Sequence, residues 1–203
     1  MAHATRTFVA VAIPPAQRTR LARLQTLIAP DLPSARWVLT EQFHVTLAFL
    51  GDIPDTDLNG LCRAIAAAVE SHRPFSLTLQ GLGMFPGPVK PRVAWVGLVG
   101  PELDALAALR ADIVAAVASV GYPPEDNRFT PHVTIGRIKA TRGDEVDASG
   151  LVAHFRSWLA GAVPVAEVVT YASTLTPEGP AYMPLARAPL KGKGGGRVRR
   201  DDT

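Results

Sequence analysis

An α+β fold built from two related halves is what this 203-residue sequence predicts, and three observations carry the prediction. Segments rich in β-branched residues alternate with segments whose aliphatic residues recur at helical spacing. One unit occurs twice: a strand stopped by proline, a helix with an aliphatic stripe, then a strand bearing His-Val-Thr. The two His-Val-Thr strands, at 44–46 and 132–134, thereby fall at corresponding places in two halves, where they can face each other across a groove.

Each element follows from its own signals. Residues 7–13 (TFVAVAI) read as a strand stopped by Pro14 and Pro15, after which Leu21, Leu24 and Ile28 mark a helix up to Pro30. A short edge strand is expected at 37–39 and a longer one at 43–50 (FHVTLAFL), ending at Gly51 and Asp52. Successive strand side chains alternate, so His44, Thr46 and Ala48 are expected on one face, and Val45, Leu47 and Phe49 on the other. A helix from about Asp55 carries Leu58, Leu61, Ile65 and Val69 on one stripe and ends before Pro74, where a strand at 75–79 begins. Gly81, Gly83, Pro86, Gly87 and Pro88 predict a loop.

Residues 92–99 (RVAWVGLV) form the next expected strand. Pro101 and Glu102 open a helix lined by Leu103, Leu106, Ile113, Val117 and Val120 and closed by Gly121. NRFTPHVTIGRI then reads as a strand with His132 and Thr134 on a shared face. A polar loop, a weak helix around 151–159, and strands near 165–174 and 182–185 complete the expected order. Residues 1–190 are expected to form one domain of two pseudo-symmetric halves, followed by a disordered basic, glycine-rich tail at 191–203.

Hydrophobic residues make up 47% of the chain and charged residues 19%, the balance of a globular protein rather than a disordered one. The formal charge of +3 invites a nucleic-acid reading, but residues 191–203 hold five Lys/Arg and two Asp, which leaves the preceding residues formally neutral. Attraction for a phosphate chain must therefore come from the tail or from a local cluster, and a solvated tail is the simpler reading of the two. Cys62 is the only cysteine, which excludes an intrachain disulfide and any multi-cysteine metal site. It is expected to be a buried small apolar residue in a protein of the reducing cytoplasm. The apolar run near the N-terminus is only six residues long, and no 18-residue apolar stretch follows, so a soluble protein without signal peptide or membrane span is expected.

Two histidines facing one space can supply an acid and a base together near neutral pH. That suits in-line phosphoryl transfer, in which the attacking water loses a proton, the leaving oxygen gains one, and charge gathers on the equatorial oxygens of phosphorus. Thr46 and Thr134 are placed to donate hydroxyl hydrogen bonds to that charge. His3, His72 and His154 lack this context and are read as structural or solvated. No carboxylate or cysteine stands at a repeated, face-matched position as a third ligand, so neither a metal nor another cofactor is expected.

The motifs HVTL at 44–47 and HVTI at 132–135 closely resemble the paired His-x-Thr-x motifs of the two-histidine phosphoesterase superfamily. Within it, RTFVAVAIP, RWV, FHVTLAFLGD, GLGMFPGPVKPRVAWVGL, FTPHVTIGR and STLTPEGPAYMPLAR resemble the RNA 2′,3′-cyclic phosphodiesterases, also called 2′-5′ RNA ligases, over residues 6–190. The resemblance implies a bilobal α+β fold, with antiparallel sheets forming a central cleft and helices outside. It implies hydrolysis of a 3′-terminal 2′,3′-cyclic phosphate on RNA to a 2′-phosphate, with His44 as proton donor and His132 as acceptor. Reversal with a 5′-hydroxyl would form a 2′-5′ linkage. Arg137 matches a family position that helps hold the phosphate, although simple alternation puts it on the face opposite Thr134; Arg128 is a weaker candidate. Phe8, Phe43 or Trp37 could stack a terminal base, against core packing as the simpler role for each. A monomer acting on RNA termini is expected. The alternatives are an enzyme of the same superfamily acting on a small cyclic nucleotide or a 2′-5′ oligonucleotide, and a non-catalytic RNA-binding module.

Overall fold

The computed structural model describes residues 3–124, 129–139, 146–176 and 179–192. The elements run β1 (Ala4–Ala12), α1 (Pro15–Ile28), β2 (Ala35–Trp37), β3 (His44–Pro54), α2 (Leu58–Val69), β4 (Phe75–Phe85), β5 (Val93–Val99), α3 (Leu103–Ser119), β6 (His132–Ile138), α4 (Ser149–His154), β7 (Leu159–Val165), β8 (Glu167–Thr176) and β9 (Gly179–Pro189). Arg128 and the tail from 193 onward lie outside the described residues.

All strand pairings are antiparallel, in the order β7-β4-β5-β6-β3-β1-β8-β9, with β2 added alongside β6. The expected two antiparallel sheets are therefore two four-stranded lobes, β7-β4-β5-β6 and β3-β1-β8-β9. They meet at the single residue pair Val45–Val133 on β3 and β6. The curled sheet presents one surface to the helices and leaves the opposite one open.

The helices form where aliphatic side chains recur three and four apart, and those side chains are the buried ones. Leu21, Leu24 and Ile28 on α1, Leu61, Ile65 and Val69 on α2, and Leu106, Leu109, Ile113 and Val117 on α3 all enter the core. Burying each such side chain is worth about 1.5–3 kcal/mol. The packing crosses over between lobes: α1 follows β1 yet lies against β6 and β7, whereas α3 follows β5 yet lies against β3. Neither sheet lobe has a core independent of a helix that belongs to the other. No helix among the described residues is long and apolar enough to cross a membrane.

Three elements differ from the sequence reading. The expected loop after residue 80 is instead the second half of β4, which continues to Phe85. Gly81 is the bulged residue there, with φ of +81°, and Gly83 lets the Trp95 ring lie across the strand, because a Cβ at Gly83 would stand 2.2 Å from it. The glycines thus mark a bulge and a close approach inside a strand. Strand β7 was not expected, because Gly161 and Pro164 hide its alternation; as an edge strand it can carry a proline. Helix α4 is correspondingly short and ends at His154.

Candidate active site

The site begins with the two His-Val-Thr strands. Val45 and Val133 are buried and paired, so their neighbours on both strands point to the open face of the sheet. Counting outward from an antiparallel pair sets His44 beside Thr134 and Thr46 beside His132. Each histidine therefore stands next to the threonine of the other motif, at the seam between the lobes.

Both imidazoles are held in the same way. His44 Nδ1 lies 2.7 Å from the carbonyl oxygen of Gln42, and His132 Nδ1 lies 2.6 Å from that of Thr130. A carbonyl only accepts, so Nδ1 carries the proton in both rings and Nε2 is the nitrogen at which a proton can be gained or lost. The segment behind His44 is fixed in turn. Gln42 ends a short 3-10 turn, and its side-chain amide donates to the carbonyl of Pro180 at 2.5 Å.

Aromatic rings flank each histidine. Phe8 on β1 and Tyr182 on β9 lie 4.9 Å and 5.3 Å from His44, and Phe85 on β4 and Trp95 on β5 lie 5.1 Å and 5.9 Å from His132. Burial is the first cause that lowers the pKa of both histidines below the ordinary imidazole value, only partly opposed by the hydrogen bonds to Gln42 and Thr130. The positive charge of Arg137 lowers both further, and His132 also lowers His44. At Tyr182, burial raises the phenol pKa while the positive charges of Arg137 and Arg6 lower it.

Arg137 reaches the cleft because β6 does not alternate regularly. Trp95 pairs with Thr134 and Ala94 with Gly136, so Ile135 is an extra residue, a β-bulge. Ile135 and Gly136 are both buried, and the phase beyond them is reversed, leaving Arg137 exposed on the face of His132 and Thr134. The same irregularity recurs on β3, where Val9 pairs with Ala48 and Ala10 with Thr46, making Leu47 the extra residue. Burial follows the same sequence over 44–49 as over 132–137. Contrary to simple alternation, Ala48 is buried at 4% exposure and Phe49, the counterpart of Arg137, is 64% exposed.

The aromatic candidates sort by burial. Phe8 and Phe43 are 3% and 2% exposed, so Phe8 backs the His44 ring and Phe43 fills the core. Trp37 packs against Gly136 in the bulged stretch of β6. Phe49 is the aromatic that stands out into solvent, 5.9 Å from Phe8. Phe49, Tyr182, Phe85 and Trp95 escaped the sequence reading; only Trp95 pairs directly with a motif residue, Thr134, and the others come near the motifs through strand order and the bulges, which the sequence does not display. Cys62 is partly buried, and burial raises its thiol pKa. His72 binds Asp112 at 2.7 Å, and His154 packs on Phe155, both away from the seam. Among the described residues, no group of three or more His, Cys, Asp or Glu is arranged to hold a metal ion.

Comparison with known proteins agrees with this geometry. The LigT-like phosphoesterase family model matches the chain twice, over residues 11–95 and 96–182. An RNA 2′,3′-cyclic phosphodiesterase of Aeropyrum pernix is 36% identical over 88% of this chain and 98% of its own length. One from Methanothermobacter thermautotrophicus is 30% identical over 87% and 94%. Another, from Geobacillus stearothermophilus, is 35% identical over 94% of this chain, which spans 59% of that relative's length. A crystal structure from Thermus thermophilus superposes with a TM-score of 0.73 at 30% identity, covering 93% of this chain and 99% of that one. The apo form of E. coli LigT shares the fold at a TM-score of 0.72 and 24% identity, over 93% of this chain and 98% of its own. Two matched halves, relatives aligned over nearly their whole length, and a His-Thr pair from each half at one seam place this chain in the LigT-like phosphoesterase family.

Proposed function

We propose that the protein hydrolyses a 3′-terminal 2′,3′-cyclic phosphate on RNA to a 2′-phosphate, using His44 and His132 as an acid/base pair without a metal ion. The observation that carries this reading is the pair of Nδ1-anchored histidines at the lobe seam, each beside the other motif's threonine, with Arg137 on the same face. The names of the relatives supply the substrate class.

In the forward step, His132 Nε2 takes a proton from water. The water oxygen attacks phosphorus in line with the 3′ oxygen, the P–O3′ bond breaks, and His44 Nε2 gives its proton to O3′. The products are a 2′-phosphomonoester and a free 3′-hydroxyl. Thr46, Thr134 and Arg137 offer hydrogen bonds and charge to the non-bridging oxygens, where the transition state is most negative. Phe49 and Tyr182 border the seam on the His44 side and offer faces for the terminal nucleoside. With a 5′-hydroxyl as the incoming group, the reverse path forms a 2′-5′ linkage. Both motifs belong to one chain, which supports a monomer as the catalytic unit. The crossed packing of α1 and α3 supports reading the two halves as one domain.

The neutral formal charge ahead of the tail favours one second reading, a small 2′,3′-cyclic nucleotide as the natural substrate. Comparing kcat/KM on a short RNA ending in a cyclic phosphate with that on a 2′,3′-cyclic mononucleotide separates the two. RNA is expected to be preferred, and equal or better turnover of the mononucleotide would replace RNA with the small substrate.

A further inference from the structure

Each of the two bulges is served by a side chain from a helix beneath the sheet. Gln25 on α1 is only 9% exposed, and its side-chain nitrogen donates to the carbonyls of Ile135 and Val38, both at 2.8 Å. The Ile135 carbonyl also accepts the Val38 N–H at 3.0 Å. On the other side, Arg110 Nε on α3 donates to the carbonyl of Leu47, the bulged residue of β3, at 3.1 Å. A bulge takes a residue out of the regular ladder; without the Gln25 amide the Ile135 carbonyl keeps only the Val38 N–H and the Val38 carbonyl loses its side-chain donor, and under-satisfied buried carbonyls are costly. The alternative that relieves the cost is regular pairing, and a one-residue shift turns every later side chain to the opposite face.

We propose that Gln25 is a positioning residue for the reaction: by holding the Ile135 bulge and the end of β2 together, it keeps Arg137 on the cleft face with His132 and Thr134. Gln25 makes no hydrogen bond to either histidine; it acts through the backbone. The inference rests on the phosphodiesterase reading for its assay.

The test is a double-mutant cycle with Gln25→Met, which keeps the volume of the side chain and removes its amide, and Arg137→Met. In an otherwise wild-type chain, Gln25→Met is expected to lower kcat/KM by on the order of tenfold to a hundredfold. In the Arg137→Met background it is expected to change kcat/KM by less than about twofold, since what it positions is gone. The pH–rate profile of Gln25→Met is also expected to move in the same direction as that of Arg137→Met, which a loss of stability alone would not produce. An equal loss in both backgrounds, or wild-type kinetics in Gln25→Met, overturns the inference. If Gln25→Met does not fold, Gln25→Asn, which keeps an amide on a shorter stem, enters the same cycle. A wild-type chain without phosphodiesterase activity fails the proposed function instead. The cycle is then read as affinity for inorganic phosphate, with non-additivity expected and additivity overturning the inference.

Discussion

A histidine whose Nδ1–H is spent on a main-chain carbonyl has one nitrogen left with which to move a proton, and His44 and His132 are both in that state. Their surroundings differ, and with them the roles proposed for the two rings. His44 is the more deeply buried and feels His132 as a further positive neighbour, and both influences disfavour its protonated form. For His44 to donate, the anionic phosphate must draw a proton onto it. A cyclic phosphate with sulfur at the 3′ bridging position tests the assignment, because a thiolate leaves without a proton. His44→Ala is expected to lose about 10²–10⁴ in rate on the oxygen substrate and to recover most of it on the sulfur substrate, whereas His132→Ala stays slow on both. Recovery of the His132 variant instead would exchange the two roles. The pH dependence has a definite sign as well. Burial and then Arg137 hold both rings below the ordinary imidazole value, so the bell in kcat/KM is expected to centre on the acid side of that value. Arg137→Met removes a positive charge that opposes protonation, both pKa values rise, and both limbs move to higher pH. A profile that stays in place would show that Arg137 does not act on the pair.

At the scale of elements, bulges decide which side chains the cleft receives. The placement of the motif residues was legible in the sequence because two recurrences of His-Val-Thr in like context fix strand and face together. Arg137 was singled out by the family resemblance alone, and neither its face nor that of Phe49 was legible from the pattern, since counting by twos fails at Ile135 and Leu47, and what holds the Ile135 bulge is a glutamine distant in sequence. The second half of β4 was hidden for a similar reason: its glycines look like loop residues until Trp95 is laid over Gly83. Gly83→Ala is expected to destabilise the protein by about 1–3 kcal/mol, since the added methyl meets an aromatic ring rather than the end of a flexible chain. Urea unfolding measures it. Because Trp95 also packs against His132, a drop in kcat should accompany the loss. Unchanged stability would mean that the ring over Gly83 is free to shift.

At the scale of the molecule, two lobes meet at one residue pair and are tied beneath by helices that pack across the seam. The repeat in the sequence foretold corresponding positions for the two motifs, and alternating periodicities foretold most elements. Strand order and helix crossover were not legible from periodicity, because they depend on which aliphatic faces find each other in three dimensions. This architecture puts one histidine from each half at the boundary, so the proposed in-line reaction would run across the seam. The most direct test incubates a short RNA ending in a 2′,3′-cyclic phosphate with the protein in EDTA and identifies the terminal group of the product. The account predicts an RNA ending in a 2′-phosphate at a rate unaffected by the chelator; a 3′-phosphate product, an untouched substrate, or activity lost on chelation would contradict it.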